Sequence, residues 1–486
     1  MPKSWFSQEA SKSLMEIPSG ATIHVIGVCG VAMGQLAVEL SQQGYRVTGS
    51  DKEFYHPMAA ILEDSSVETF SGYTAENIPP ETALVVIGNS VPYENVEVQE
   101  VERRALDYTF FPKLLAESLI GESISLVIAG THGKSTTTAL TAHLLRSLSY
   151  APSYFIGGQV RGFERSLHKG SGGVSVVEGD EYDSAFFAKV PKFSFYKPSH
   201  LVINAIEYDH ADIYASLDDI KKEFRSLVTL LPPGGTLLCS ADDEGVCSLL
   251  SEWKAREDIT VITFGFSTTA DVTLRTIPCE GSLGYQVHCS RSEGDFEFHL
   301  PLLGEYNAKN ALAALLLVEI VGGDLQQACH AVGDFGGVVR RQQVHINTPK
   351  VFLVEDFAHH PTAVQETVSS MKRLFPHRRL LAVFEPRSNT SRQEIFREDY
   401  LASFVGADCV VLREVAARRG DEDRKLMDVQ ELSRELDSRG IRSFCYSDAD
   451  QIADFVLQER QDGDVILVMS NGSFEGLVQK LCAQLQ

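Results

Sequence analysis

The run Leu126-Val-Ile-Ala-Gly-Thr-His-Gly-Lys-Ser-Thr-Thr-Thr138 reads as a buried strand, a turn bounded by two glycines, and a helix start continuing through Ala139-Leu-Thr-Ala-His-Leu-Leu145. That order makes a phosphate-binding loop, because backbone N–H groups and the positive end of a helix converge on an anion. Gly130 and Gly133 let the backbone turn, Lys134 adds a positive charge, and Ser135 offers a hydroxyl to Mg²⁺. Thr131, His132 and Thr136 complete the loop. Ile128 stands where the longer pattern has its first glycine, so this is the shorter G-T-x-G-K-[S/T] form. The plainer alternative is a Gly-Lys-Ser turn that only caps a helix. The apolar strand directly upstream favours the nucleotide site, and ATP binding is the expectation.

Working outward, the chain has 486 residues, about three domains at roughly 150 residues each. Its 44% apolar content supplies several cores, and its net charge of −23 disfavours nucleic acid or an anionic membrane as partner. Nine scattered cysteines without a C-x-x-C pair read as reduced thiols, with no zinc site. The first twenty residues lack an apolar core for a signal peptide, and no 18-residue apolar run exists. A cytoplasmic protein without membrane insertion is expected.

Upstream, residues 22–51 form a strand, a glycine-rich turn at Gly27, Gly30 and Gly34, a helix stopped by Gly44, and a second strand ending in Asp51. The spacing departs from G-x-G-x-x-G. What survives is a helix N-terminus facing an anion, with an acid near where a ribose or base could sit; a tight turn without a ligand is the alternative. Ala83-Leu-Val-Val-Ile-Gly-Asn-Ser90 is a further strand, and a boundary falls near residue 121.

Downstream, Ser175-Val-Val-Glu-Gly-Asp-Glu-Tyr-Asp183 runs a strand into acids at 178, 180, 181 and 183, where a metal-binding carboxylate belongs beside a phosphate loop. A solvated acidic turn is the other reading. The strand His200-Leu-Val-Ile-Asn-Ala-Ile206 ends in Glu207-Tyr-Asp-His210, bringing another acid and a His to a strand end. Residues 236–300 suggest more strands, some antiparallel. Asn307 and Asn310 lie three apart before a helix expected over Ala311–Val321, where amides could read an adenine edge or cap the helix. After Gly336-Gly-Val-Val-Arg-Arg341, strands at Lys350–Asp356, Leu380–Phe384, Cys409–Leu412 and Asp464–Met469 form a second doubly wound unit. Its strand-end candidates are Asp356, His359, Arg387 and Asn389.

The fold class is therefore α/β with three domains. A Rossmann-like N-terminal domain covers 1–120, with 1–21 an unassigned extension. A P-loop ATPase-like central domain covers 121–335, and a Rossmann-like C-terminal domain covers 336–486.

Gly130-Thr-His-Gly-Lys-Ser-Thr-Thr-Thr138, Asp209-His210, Gly304-Glu-Tyr-Asn307-Ala-Lys-Asn310 and Asp356-Phe-Ala-His359-His-Pro resemble, in order, the motifs of the ATP-dependent Mur ligases of peptidoglycan synthesis. The likeness spans residues 22–480. Glu178-Gly-Asp-Glu-Tyr-Asp-Ser-Ala-Phe-Phe187, Asn204–Ile213, Glu385-Pro-Arg-Ser-Asn-Thr390 and Val468–Phe474 resemble the branch that adds a whole tripeptide. The alanine-adding branch is the next nearest, and Tyr306 stands where the family commonly has His.

The resemblance implies that the lactyl carboxylate of UDP-N-acetylmuramate attacks the γ-phosphate of ATP. The amine of L-alanyl-γ-D-glutamyl-meso-diaminopimelate then displaces phosphate from the acyl phosphate, in peptidoglycan recycling. It implies Lys134 at the β/γ-phosphates, Ser135 and Glu178 on one Mg²⁺, and His210 on a second. It places Arg341 at the γ-phosphate with Arg340 as competitor, Asp356 and His359 at the nucleotide, and Arg387 and Asn389 at peptide carboxylates. Gly30, Met33, Gly34 and Asp51 would hold the UDP-sugar. No carbamylated lysine is expected, although Lys221 and Lys222 follow His210. Catalysis is expected to require closure of the third domain over ATP. Outside enzymes, the rival reading is a non-catalytic sensor of UDP-sugar and ATP.

Overall fold

A strand flanked on both faces by helices buries every position and must pair any polar side chain it carries; all five residues of Thr22–Ile26 are buried, and the His24 ring meets the Thr48 hydroxyl at 2.8 Å. The computed structural model describes residues 5–279, 283–416, 418, 421 and 425–485; the first four residues of the unassigned extension lie outside the described residues. Contacts gather the chain into two units. The first is Met1–Glu207, Asp218–Thr273 and Leu312–Ala331; the second is Tyr208–Leu217, Leu274–Ala311 and Val332–Gln486.

In the first unit, Thr22–Ile26 lies central in a parallel sheet ordered Glu68–Ser71, Arg46–Asp51, Thr22–Ile26, Thr82–Ile87, Tyr108–Phe110. The chain winds one way from the central strand and then the other, so the glycine turn after Ile26 opens at the switch point where doubly wound sheets bind ligands. The N-terminal extension is docked here. Phe6 is 4% exposed and sits among Trp5, Tyr108, Phe186 and Phe187, and the Ser7 N–H donates to the Tyr108 hydroxyl at 2.6 Å.

The second sheet of this unit places Ile124–Ala129 between His200–Ile203 and Val174–Gly179, all parallel. Thr236–Ser240 and Thr260–Gly265 extend it on one side, and Ser153–Phe155 on the other. Three strand ends therefore surround the turn that leads into the helix Lys134–Ser147. That helix starts at the lysine itself, so the phosphate loop is the helix N-terminus.

The second unit is built on a sheet ordered Gln343–Asn347, Val351–Asp356, Asp464–Met469, Leu380–Phe384, Cys409–Arg413, Arg442–Tyr446, parallel except for its first strand. Alternate residues feed opposite cores: Phe352, Val354, Ala382, Phe384, Val410 and Leu412 face one, and Val351, Leu353, Leu381, Val383, Cys409 and Val411 the other. An antiparallel hairpin, Tyr285–Ser290 with Phe296–Leu300, also belongs to this unit.

Some boundaries shift from expectation. The helix expected over Ala311–Val321 runs Tyr306–Ile320, so Asn307 and Asn310 lie within its first turns. The strand expected through Ile206 stops at Ile203. All nine cysteines are free thiols, and among the described residues no helix is long and apolar enough to cross a membrane.

Candidate active site

The phosphate loop is strained into shape by two glycines. Gly130 takes φ +126° and a Cβ there would lie 2.9 Å from the Ala205 N, while Gly133 takes φ +79° at the helix N-cap. Only glycine tolerates such a backbone at low cost. The Thr131 N–H donates to the Ala205 carbonyl at 2.9 Å, its hydroxyl accepts from the Glu207 N–H at 3.2 Å, and the His132 ring meets Glu207 at 3.1 Å. These bonds tie the loop to the end of the neighbouring strand.

Lys134 donates to the Gly130 carbonyl at 2.6 Å and to both oxygens of Glu181 at 3.0 and 2.8 Å. Burial alone would push the ammonium down, but Glu181, Asp180 and Glu178 outweigh it and hold its pKa above the ordinary value. Glu181 is fully buried. The acid run singled out four carboxylates; the structure makes this one the lysine's counter-ion. Only its membership of that run signalled it in the sequence.

Ser135 Oγ donates to Glu178 Oε1 at 2.9 Å, and the Gly157 N–H donates to Oε2 at 2.7 Å. Burial pushes the Glu178 carboxyl up, with Lys134 opposing. A hydroxyl and a buried carboxylate short of positive charge, side by side at a helix N-terminus, are the oxygen donors a hard divalent cation takes. The pair fits Mg²⁺. Thr136 is buried beside them, and Asn204 Nδ2 donates to Thr137 Oγ1 at 3.0 Å.

At the first sheet's switch point, Gly30 caps the helix Val31–Gln42. Asp51 Oδ2 accepts from the Cys29 N–H at 2.8 Å, and its Oδ1 from the Tyr73 hydroxyl at 3.3 Å, so the acid folds onto the glycine turn. At Gly34 an added Cβ would crowd Met58 Sδ and lie 2.8 Å from the Val28 carbonyl, and its N–H donates to Gly30, so the missing side chain there lets the helix pack closely. Met33 lines a cavity of about 110 Å³ together with Glu178, and so the structure brings the helix that follows the glycine turn and the metal candidate to one space.

The remaining candidates belong to the second unit. His210 takes φ +54° and is 7% exposed. Its N–H donates to Asp209 Oδ1 at 2.7 Å and to Thr390 Oγ1 at 3.0 Å. Burial would push the Asp209 carboxyl up, but His210, His359, His360 and the Thr390 hydroxyl hold it well below the usual carboxylate range. Asp356 is buried and accepts from the N–H groups of Ala358 at 2.6 Å and Gln342 at 2.8 Å; burial pushes it up, against the pull of Arg341. His359 Nδ1 lies 3.0 Å from the Phe357 carbonyl.

Gln342, unmarked in the sequence, joins the candidates. Its N–H meets Asp356 and its Oε1 accepts from Asn307 Nδ2 at 3.1 Å, while Asn310 Nδ2 donates to Asn307 Oδ1 at 2.9 Å. Asn307 also donates to the Leu303 carbonyl at 2.7 Å, so its amide is turned inward on both faces here. Of the two arginines, Arg340 is committed to Glu355 at 2.8 Å and to the carbonyls of Ser470 and Gly472. Arg341 stacks 4.6 Å over the Phe357 ring. Arg387 passes over the Gly472 Cα with its side chain 42% exposed. Asn389, expected at a peptide carboxylate, donates to Asp212 Oδ2 at 2.9 Å.

The P-loop geometry and the paired doubly wound sheets define a nucleotide-dependent enzyme of α/β architecture. Residues 22–121, 128–318 and 340–472 match, in chain order, the Mur ligase family catalytic domain, the Mur ligase middle domain and the Mur ligase glutamate ligase domain. The UDP-N-acetylmuramate–L-alanyl-γ-D-glutamyl-meso-2,6-diaminoheptandioate ligase of Escherichia coli K12 is 35% identical over 461 residues, covering 94% of this chain and 97% of the relative. The UDP-N-acetylmuramate–L-alanine ligase of Salinibacter ruber is 32% identical, covering 82% of this chain and 81% of its own. Among solved structures, a murein peptide ligase from Psychrobacter arcticus 273-4 superposes with a TM-score of 0.70 at 30% identity, covering 96% of this chain and 99% of that one. This chain belongs to the Mur ligase family.

Proposed function

We propose that the chain joins L-alanyl-γ-D-glutamyl-meso-diaminopimelate to UDP-N-acetylmuramate at the expense of ATP, in cytoplasmic recycling of peptidoglycan. The observation that carries this reading is the 35% identity to the E. coli tripeptide ligase across 97% of that protein's length. The lactyl carboxylate oxygen attacks the γ-phosphorus and ADP leaves. The peptide amine then attacks the acyl carbon, the carbon–oxygen bond to phosphate breaks, and the amine proton is lost to solvent or base.

The chemistry crowds anions together, so positioning and charge neutralisation carry the rate. Lys134 would leave Glu181 for the β/γ-phosphates. Ser135 and Glu178 would hold one Mg²⁺ and His210 a second; the ion's contribution is to neutralise phosphate charge. Arg341 is the choice for the γ-phosphate, because Arg340 is spent on Glu355. Asp356 and His359, with Asn307 and Asn310, serve the nucleotide; Gly30, Met33 and Asp51 serve the UDP-sugar; Arg387 serves a peptide carboxylate. The division of labour assigns 1–120 to the UDP-sugar, 121–335 to ATP and 336–486 to the peptide.

ADP release from purified protein with ATP, Mg²⁺ and UDP-N-acetylmuramate tests the reading. ADP is expected with the tripeptide and not with L-alanine. Release with L-alanine alone would place the chain in the alanine-adding branch, and no release with either acceptor would favour a sensor.

A further inference from the structure

We propose that Lys192 receives the lactyl carboxylate of the sugar nucleotide and holds it against Glu178, an inference that rests on the ligation reading above. The cavity of about 110 Å³ has Ala32 and Met33 on one side and Gly157, Glu178, Asp180 and Lys192 among its other lining residues. Sites that enclose a whole small ligand measure roughly 300–1,000 Å³; this one admits only a substituent. It lies between the turn assigned to the UDP-sugar and the Ser135–Glu178 pair of the phosphate loop. In the proposed reaction the substituent that must reach from one to the other is the lactyl carboxylate.

A carboxylate entering a space lined by Glu178 and Asp180 meets two like charges, and Lys192 is the cation among the lining residues. Its placement is built into the backbone. The hairpin Asp183–Ala185 with Ala188–Pro191 returns the chain to the acid run. There the Lys192 N–H donates to the Tyr182 carbonyl at 3.1 Å, and Phe193, fully buried, donates to the Asp180 carbonyl at 3.4 Å. Lys192 Nζ donates to Asp180 Oδ2 at 2.6 Å and lies 5.8 Å from the Tyr182 ring centroid, with its side chain 19% exposed. An ammonium has three donors, so the bond to Asp180 leaves capacity for a second carboxylate. Lys134, assigned to the β/γ-phosphates, is not among the residues that line this cavity.

The test compares binding of UDP-N-acetylmuramate with UDP-N-acetylglucosamine, which lacks the lactyl group, by calorimetry in EDTA without nucleotide. Wild type is expected to prefer the lactyl sugar by about tenfold, the scale of one charge-assisted bond. Lys192→Met should abolish the preference and leave UDP-N-acetylglucosamine affinity unchanged, which also reports an intact fold. Because Lys192→Met strands Asp180, the double variant Asp180→Asn/Lys192→Met guards against misfolding and should behave alike. A preference retained in either variant overturns the proposal, as does a wild type that does not discriminate while still releasing ADP in the ligation assay. A wild type that binds neither sugar nucleotide sinks the ligation reading as well.

Discussion

Thr390 Oγ1 donates to Asp209 Oδ1 at 2.6 Å and accepts from the His210 N–H at 3.0 Å. One hydroxyl thereby fixes both the acid and the backbone of a residue held at φ +54°, a conformation that costs on the order of 1–3 kcal/mol when nothing else enforces it. The Glu385–Thr390 stretch thus serves the second unit's histidine segment, with Asn389 to Asp212 as a second tie. Thr390→Val, equal in shape but without the hydroxyl, should raise the Mg²⁺ concentration for half-maximal activity and lower kcat about tenfold, the scale of 1.4 kcal/mol. Thr390→Ser should restore both. A fall in Tm with unchanged Mg²⁺ dependence would reduce the hydroxyl to a structural tie.

Lys134 and Glu181 form a buried ion pair, 13% and 0% exposed at their side chains. Removing one partner strands the other charge at a cost of roughly 3–5 kcal/mol. Lys134→Met should therefore eliminate ADP formation and lower Tm together. Lys134→Met/Glu181→Gln should recover Tm without recovering activity, which separates the phosphate role from the structural one. UDP-sugar binding should survive in the double variant; its loss would show that the sugar site depends on the phosphate loop.

Legibility in the sequence followed the strength of local signals. Strands buried on both faces, such as Leu380–Phe384 and Asp464–Met469, announce themselves as apolar runs. The edge strands Gln343–Asn347 and Arg442–Tyr446 do not, because the half-buried Gln343 and His345 and the exposed Arg442 break the run. The helix start at Tyr306 was hidden by Asn307, Lys309 and Asn310, polar residues that read as a loop until Leu303 and Gln342 are seen to satisfy the Asn307 amide. Lys134, Ser135 and Glu178 were readable because loop and strand end lie on adjacent strands. The bond from Thr390 to Asp209 joins residues 181 positions apart, and no spacing rule reaches that far.

Arg340 and Arg341 are neighbours with different surroundings, and substitution should separate them. Arg340→Ala breaks bonds to Glu355, Ser470 and Gly472 and should lower stability by about 1–3 kcal/mol with a modest effect on kcat. Arg341→Ala should leave Tm nearly unchanged and lower kcat at least a hundredfold, on the order of 3 kcal/mol of transition-state stabilisation. If the two variants exchange phenotypes, the γ-phosphate contact belongs to Arg340.

Glu355 gives that pair a pH signature. Burial alone would raise its carboxyl, but hydrogen bonds from His345 and Arg340 outweigh it and hold the folded pKa below the ordinary value. A depressed folded pKa means that ionised Glu355 stabilises the fold above the unfolded value of about 4.3 and loses that contribution as pH falls through the folded pKa. Glu355→Gln should thus cost about 1 kcal/mol by urea unfolding at pH 7, and the gap to wild type should shrink progressively below pH of about 4. A gap independent of pH would assign the loss to packing.

Arg387 is the remaining cation of the Glu385–Thr390 stretch. Its guanidinium passes over Gly472, stays 4.0 Å from Glu385 Oε1, and keeps its side chain 42% exposed. At 4.0 Å the Glu385 contact is a loose ion pair, so the planar fork keeps donors for a carboxylate taken bidentately. Arg387→Ala should raise the tripeptide KM by about ten- to a hundredfold, as expected for loss of a charge-assisted pair, with the KM values for ATP and UDP-N-acetylmuramate unchanged. Arg387→Lys should recover little, because an ammonium cannot reproduce the two parallel bonds. An unchanged tripeptide KM in Arg387→Ala would remove Arg387 from the peptide site and leave carboxylate recognition to another cation of the second unit.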